Sequence, residues 1–122
     1  MMFAYQLQDR IKAAGKNTKV FVCHPGASRT NLLMDTASTF NKVLWSLLSR
    51  IIAQSAEKGA WPEVMCATQD GLAQKRLYGP TKRADTVGPV GECSLDNVAL
   101  NQDMANQLWA LSEEKTALTW SF

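Results

Sequence analysis

The sequence predicts an α/β fold, one half of a βαβ architecture in which two short parallel strands sit among several helices. Three observations carry that reading. Apolar residues recur at helical spacing near both ends of the chain, in Phe3, Leu7, Ile11 and Ala14 and again in Leu100, Met104, Leu108 and Leu111. The run "KVFVC", residues 19–23, is β-branched and aromatic with no alternating polar face, as expected of a parallel strand covered on both sides. A second brief extended segment, "KRLYGP", occupies 75–80.

Taken in order, the first helix ends at Gly15, placed for a left-handed C-cap, and Gln6, Asp9, Arg10 and Lys12 fill its other faces. The turn His24-Pro25-Gly26 closes the strand. Thr30 is a candidate N-cap for a short turn containing Leu32, Leu33 and Met34. Phe40, Val43, Leu44, Leu47, Leu48, Ile51 and Ile52 then mark an amphipathic helix with a broad apolar face. Gly59 reads as a helix stop, followed by a new helix with Pro62 in its first turn and Val64, Met65, Ala67, Thr68 and Leu72 as its packing stripe. "TKRADTVGPVGECS", residues 81–94, reads as an exposed, mobile polar loop. A last helix is expected from Asp96 to Leu111, with Ser112 starting a further turn whose Glu113 and Glu114 suit the positive end of its dipole.

Composition narrows the function classes. With 122 residues the chain fits a single domain, and 46% hydrophobic against 20% charged residues places it among globular proteins. The net charge of +2 and one sparse basic cluster, Lys75, Arg76, Lys82 and Arg83, argue for solvated charges and against nucleic acid as a partner. The most apolar stretch, Phe40 to Ala53, is broken by Lys42 and Arg50 and is shorter than the ~20 residues of a membrane span, so none is expected. "MMFAYQLQDRIK" lacks the basic leader and cleavage site of a signal peptide, so the N-terminus is expected to belong to the fold. Cys23, Cys66 and Cys93 are odd in number and widely spaced, which points to a reducing, cytoplasmic setting without a disulfide framework. A zinc site would need Cys23, His24, Cys66 and Cys93 to converge from unpatterned positions, and no metal is predicted.

Four segments in order, "FAYQLQDRIKAAGKNTKVFVCHPGASRTNL", "QSAEKGAWPEVMCAT", "LYGP" and "QLWALSEE", resemble the C-terminal half of the short-chain dehydrogenases/reductases, in particular the retinol dehydrogenase and protochlorophyllide reductase-like branch. The similarity covers nearly the whole chain. It implies the rear part of a doubly wound, Rossmann-type fold and an NAD(P)-dependent oxidoreductase acting on an alcohol or carbonyl. By this resemblance Phe3 to Ala14 continue the helix that carries the catalytic tyrosine and lysine, a pair that would lie just before Met1, and the glycine-rich cofactor loop would lie earlier still.

Pro25, Gly26 and Thr30 match the P-G-x-x-x-T signature that, in this family, follows the sixth strand and touches the nicotinamide half of the cofactor. The chemistry is consistent: a glycine lets a ligand approach the backbone, and ligands bind at the carboxyl ends of strands in open α/β sheets. Thr30 at a helix start offers a hydroxyl and nearby N–H groups. His24 is expected to pack or hydrogen-bond at the strand end, outside the chemistry. Tyr78-Gly-Pro-Thr-Lys82 matches Y-x-x-x-K literally, but Gly79-Pro80 would break the helix that a tyrosine–lysine pair needs, so it is read as a strand-end tyrosine. No catalytic residue is therefore assigned. The chain alone is expected to bind little NAD or NADP, to be inactive, and to pair with the family's N-terminal half or with copies of itself through uncovered strand edges and apolar faces. The alternative reading is a helical interaction module without catalysis.

Overall fold

The computed structural model describes residues 1–28 and 53–121. The turn expected after Thr30 and the amphipathic helix over Phe40 to Ile52 lie outside them. The described residues form helix α1 (Met2–Ala13), strand β1 (Val22–Cys23), helix α2 (Ala56–Thr68), strands β2 (Leu77–Lys82) and β3 (Val87–Cys93), a 3₁₀ turn (Asn97–Leu100) and helix α3 (Gln102–Thr116). The α/β class is as expected. The strands make one sheet in the order β1-β2-β3, with β1 parallel to β2 and β2 antiparallel to β3. None of these helices is long and apolar enough to cross a membrane. The described residues group into two compact units, one of 1–22, 73–76 and 95–121, the other of 23–28, 53–72 and 77–94.

In the first unit, α1 ends as its sequence dictates. Gly15 takes φ +69°, and the N–H groups of Gly15 and Lys16 donate to the carbonyls of Lys12 (3.0 Å) and Ile11 (3.1 Å), a Schellman closure. The inward face differs from the expected one: Tyr5, Gln6, Gln8 and Ile11 are buried, while Phe3 and Leu7 are half-buried and Ala14 is exposed. Two glutamines can be buried because their amides are satisfied. Gln6 Nε2 donates to Asn106 Oδ1 (2.8 Å), and Gln102 Nε2 donates to Gln6 Oε1 (2.6 Å), joining α1 to α3. Gln8 Oε1 accepts the Val20 N–H at 2.5 Å and Gln8 Nε2 reaches the Thr18 carbonyl at 3.5 Å. That clamp takes the Val20 N–H out of any ladder, and β1 is reduced to two half-buried residues where five were expected under cover on both faces.

The C-terminal helix is also divided differently. Asp96 caps the 3₁₀ turn through the Val98 N–H (2.9 Å), and Asn101 caps α3 through the Met104 N–H (3.0 Å), so the chain breaks at Asn101 and then runs unbroken through Ser112 to Thr116. Its buried residues are Ala105 and Trp109, whereas Leu100, Met104, Leu108 and Leu111 remain exposed. Both sets have helical spacing and are offset by one residue. Trp109 decides between them because its ring carries far more apolar area than one leucine. It is 1% exposed, stacks on Phe3 (centroids 4.7 Å, planes 9° apart), meets the edge of Trp120 at 5.8 Å, and has the Arg10 guanidinium 4.4 Å from its ring centroid.

In the second unit, Ser55 caps α2 by accepting the Lys58 N–H at 3.3 Å. Gly59 does not stop this helix, and Pro62 lies in its interior rather than its first turn. The Gly59 N–H makes the ordinary helical bond to the Ser55 carbonyl (3.0 Å). Interior proline costs about 3 kcal/mol, which burial offsets here: Pro62 is among the residues less than 2% exposed. The expected stripe is overturned with it, since Val64, Ala67 and Thr68 are exposed and Met65 and Leu72 half-buried. Segment 81–94 is not a loop. It completes an antiparallel hairpin in which Tyr78 faces Glu92, Gly79 faces Gly91 and Pro80 faces Val90. A left-handed turn makes this possible: Arg83, Ala84 and Asp85 take φ of 52°, 52° and 62°, the Thr86 N–H donates to the Lys82 carbonyl (3.1 Å), and Thr86 Oγ1 donates to the Arg83 carbonyl (2.6 Å).

Replacing Trp109 by Ala is expected to lower stability by about 3–5 kcal/mol, as for a large aromatic core residue. Leu108→Ala, on the exposed neighbouring stripe, should cost no more than about 1 kcal/mol. Urea unfolding followed by circular dichroism measures both, and an equal or larger loss at Leu108 would reverse the assignment of the inward face.

Candidate functional site

The segment His24 to Ser28 leaves the carboxyl end of β1 and is tied on every side within its own unit. The His24 N–H donates to the Tyr78 carbonyl (2.9 Å), extending the parallel pairing by one bond. The Ala27 N–H donates to the Thr86 carbonyl (2.7 Å), and the Ala27 carbonyl accepts the Gln54 N–H (2.9 Å). The Pro25 carbonyl accepts from both Ser28 Oγ (2.8 Å) and Gln54 Nε2 (2.9 Å). Ser28 and Gln54 form a single parallel bridge. Two short pieces of chain, Pro25–Ser28 and Gln54–Ser55, therefore lie flush at the mouth of the sheet.

Three glycines permit this closeness. Gly26 takes φ +63°, and a Cβ there would strike the Thr86 carbonyl oxygen and Pro80. A Cβ on Gly59 would strike Ser28, and one on Gly79 would strike the His24 imidazole. The sequence reading gave Gly26 to an approaching ligand. In the structure the hairpin fills that space, so packing alone already requires glycine at this position. His24 lies against Gly79, its Nδ1 accepts the Gly26 N–H (3.3 Å), and its Nε2 is buried with no hydrogen-bond partner among the described residues.

Pro25 and Gly26 thus sit at the strand end, and Thr30 lies outside the described residues. The N–H groups of Gly26 and Ala27 are both used internally, so this stretch is a rigid wall and not a set of free hydrogen-bond donors. Tyr78 is buried as the second residue of β2, and Lys82 ends the same strand. Four residues of extended chain separate them by about 13 Å, too far for the ammonium to act on the phenol.

The thiols are more clustered than their spacing suggested. Cys66, on α2, lies near Cys23, and burial followed by the nearness of Cys23 pushes the Cys66 thiol up from 9.0 to about 11. Burial and then the Asp85 carboxylate also raise the Cys93 thiol, whose Sγ donates to the Pro80 carbonyl (3.4 Å). All three are free thiols, and among the described residues no group of three metal-binding side chains forms.

Beside the loop lies a cleft of about 360 Å³ lined by Ala53, Gln54, Lys58, Lys82, Arg83, Val87 and Gly88. The basic cluster of the sequence is thereby divided by role. Lys75 pairs with Asp9 at 2.7 Å in the first unit, while Lys82 and Arg83 join Lys58 on the cleft. Lys58 and Gln54 carry no motif and were missed. The one usable signal was "QSAEK", a serine cap with a cation three residues on, which places Lys58 in the first turn of α2.

No protein-family model matches the chain, and no curated protein matches it. Among solved structures, it is similar to an uncharacterised protein from Mycobacterium paratuberculosis, with 29% sequence identity and a TM-score of 0.70. The alignment covers 99% of this chain and 37% of that one, so the chain spans a little over a third of the protein it matches.

Two outcomes test this geometry. Gly15→Ala, where a Cβ meets open space, should cost only the left-handed backbone term of about 1–2 kcal/mol. Gly26→Ala adds the collision with Thr86 and Pro80 and should cost at least about 3 kcal/mol. Equal losses in urea unfolding would show that the loop and hairpin are not in contact. The raised Cys66 thiol favours the folded state fully below pH 9.0, and that contribution is lost as pH rises toward about 11. Cys66→Ser should accordingly flatten the alkaline fall in stability, measured by the same unfolding assay.

Proposed function

We propose that this chain is the cofactor-facing rear portion of an NAD(P)-dependent short-chain oxidoreductase acting on an alcohol or carbonyl substrate. The single observation that carries the reading is the parallel neighbourhood of β1 and β2 with Pro25-Gly26 at the carboxyl end of β1. That is where open α/β sheets receive ligands. The order of elements and the four family-like segments support a Rossmann-type, doubly wound whole of which these residues are part. Pro25 and Gly26 serve as a fixed wall beside the nicotinamide and Thr30 as the hydroxyl that follows it. The cofactor supplies the hydride chemistry, and the protein's share is position and electrostatics. The three free thiols are in keeping with a reducing, cytoplasmic setting for such an enzyme.

The exposed stripe of Leu100, Met104, Leu108 and Leu111 on and just before α3 favours a second reading, a non-catalytic module that associates through this face. Both readings include self-association, and the first also includes docking with the family's N-terminal half.

Purified as 122 residues, the chain is expected to oxidise no alcohol and reduce no aldehyde with either NAD(H) or NADP(H), and to elute above its monomer mass of 13.5 kDa in light scattering. Joined to a short-chain reductase N-terminal half that carries Y-x-x-x-K and the glycine-rich loop, it should restore cofactor-dependent turnover. Activity of the 122 residues alone would overturn the fragment reading. Failure of every such fusion, with the fold intact, would favour the interaction module, and a stable monomer would remove self-association from both.

A further inference from the structure

We propose that the cleft beside the Pro25 loop is a binding site for a phosphate group. It goes beyond the oxidoreductase reading and stands whether or not that reading holds.

Charge is the first ground. Lys58, Lys82 and Arg83 line one cleft with no carboxylate among its described lining residues. None of the three has an ion-pair partner among the described residues, and the nearby Asp85 is engaged by the Ser94 hydroxyl at 3.0 Å. Three like charges around a concave surface repel one another and focus a positive field on the space between them. A dianion relieves that repulsion, and Arg with Lys is the usual pairing for phosphate oxygens.

Construction is the second ground. Lys82 does not wave freely from its strand. Gly88, at φ +110°, leaves the space its own side chain would fill, and the Lys82 Cβ, Cγ and Cδ lie 2.9, 3.0 and 3.3 Å from where a Gly88 Cβ would stand. The stem is thereby laid across the hairpin. Arg83 opens the left-handed turn at φ 52°, and Lys58 rises from the first turn of α2, whose N-terminal dipole adds to the field.

Gln54 supplies the third. It is 8% exposed, lines the cleft, and spends its Nε2 on the Pro25 carbonyl, while its Oε1 is buried with no hydrogen-bond partner among the described residues. A buried carbonyl left so costs about 1–3 kcal/mol. It accepts from any N–H or O–H, and a protonated phosphate oxygen or the alcohol of a phosphorylated metabolite carries such a donor. The cleft's volume of about 360 Å³ suits a small phosphate ester as well as the free ion.

The test is a titration of the isotope-labelled 122-residue chain with inorganic phosphate, followed by amide chemical shifts and referenced to sodium chloride of equal ionic strength. Saturating shifts at Lys58, Arg83 and Gly88 in phosphate alone are expected. Arg83→Gln and Lys82→Gln should each weaken binding about tenfold, one charge-assisted hydrogen bond apiece. Both are surface positions, and unchanged spectra elsewhere confirm the fold. A parallel titration with ribose 5-phosphate separates the sources: tighter binding than inorganic phosphate marks an ester as ligand, and equal binding marks the free ion. Shifts that grow linearly and equally in chloride, or that survive both substitutions, would overturn the proposal.

Discussion

The mouth of the sheet depends on one contact, the Ala27 N–H donating to the carbonyl of Thr86 at 2.7 Å across the space that Gly26 leaves open. It adds the turn of the hairpin to the strand-end bond that His24 already makes with Tyr78. The other bonds of the loop share its residues. The Pro25 carbonyl is turned so that Ser28 and Gln54 both reach it, and Gln54 in turn brings the start of α2 beside the loop. Each bond contributes only about 1 kcal/mol net, but they share the same few residues. The loop is set before any ligand arrives, so little ordering entropy is left to be lost on binding.

The first unit is organised by a different constraint, the need to enclose one indole. Trp109 is covered by Phe3 on a face, by Trp120 on an edge and by the Arg10 guanidinium. Enclosing it fixes the rotation of α3 about its axis. Turning α3 by one residue to bury Leu108 would expose that ring and break the amide chain that runs from Gln102 through Gln6 to Asn106. The leucine stripe is thus left outward as a consequence of the tryptophan being turned inward. Helical spacing identifies a stripe, but side-chain area and satisfied polar partners choose which stripe is buried.

The same distinction separates what was legible in the sequence from what was not. The first helix and its Gly15 cap were readable because both are local: spacing and a single left-handed residue decide them. The neighbourhood of β1 and β2 was readable from the unalternating apolar run "KVFVC" and the second extended segment "KRLYGP". The hairpin was not, because Gly79, Pro80, Gly88, Pro89 and Gly91 are turn-formers by local preference, and only the cross-strand pairing and contacts such as those with His24, Thr81 and Lys82 make them strand residues. Gly59 and Pro62 misled for the same reason, their tolerance in α2 coming from Ser28 and from deep burial. Of the candidate site, Pro25 and Gly26 were visible as the turn that closes β1. Gln54, Lys58 and the roles of Lys82 and Arg83 were not, since a cleft is assembled by tertiary packing from residues that carry no mark in the chain.

Gln54 shows how closely the loop and the cleft are linked. Its backbone N–H and side-chain Nε2 both serve the loop, and its remaining polar atom, Oε1, belongs to the residue that walls the cleft. A group filling the cleft would therefore bear on the same side chain that orients the Pro25 carbonyl. The hairpin repeats the arrangement: Thr86 holds the loop, and Lys82 and Arg83, at the same turn, supply the charge. Glycines at 26 and 88 make both possible, one by admitting Thr86 against the loop and the other by admitting the Lys82 stem against the hairpin. The wall and the charged cleft are two faces of one backbone arrangement, so a substitution that loosens the Thr86 contact disturbs both at once, whereas neutralising a cation leaves the wall standing.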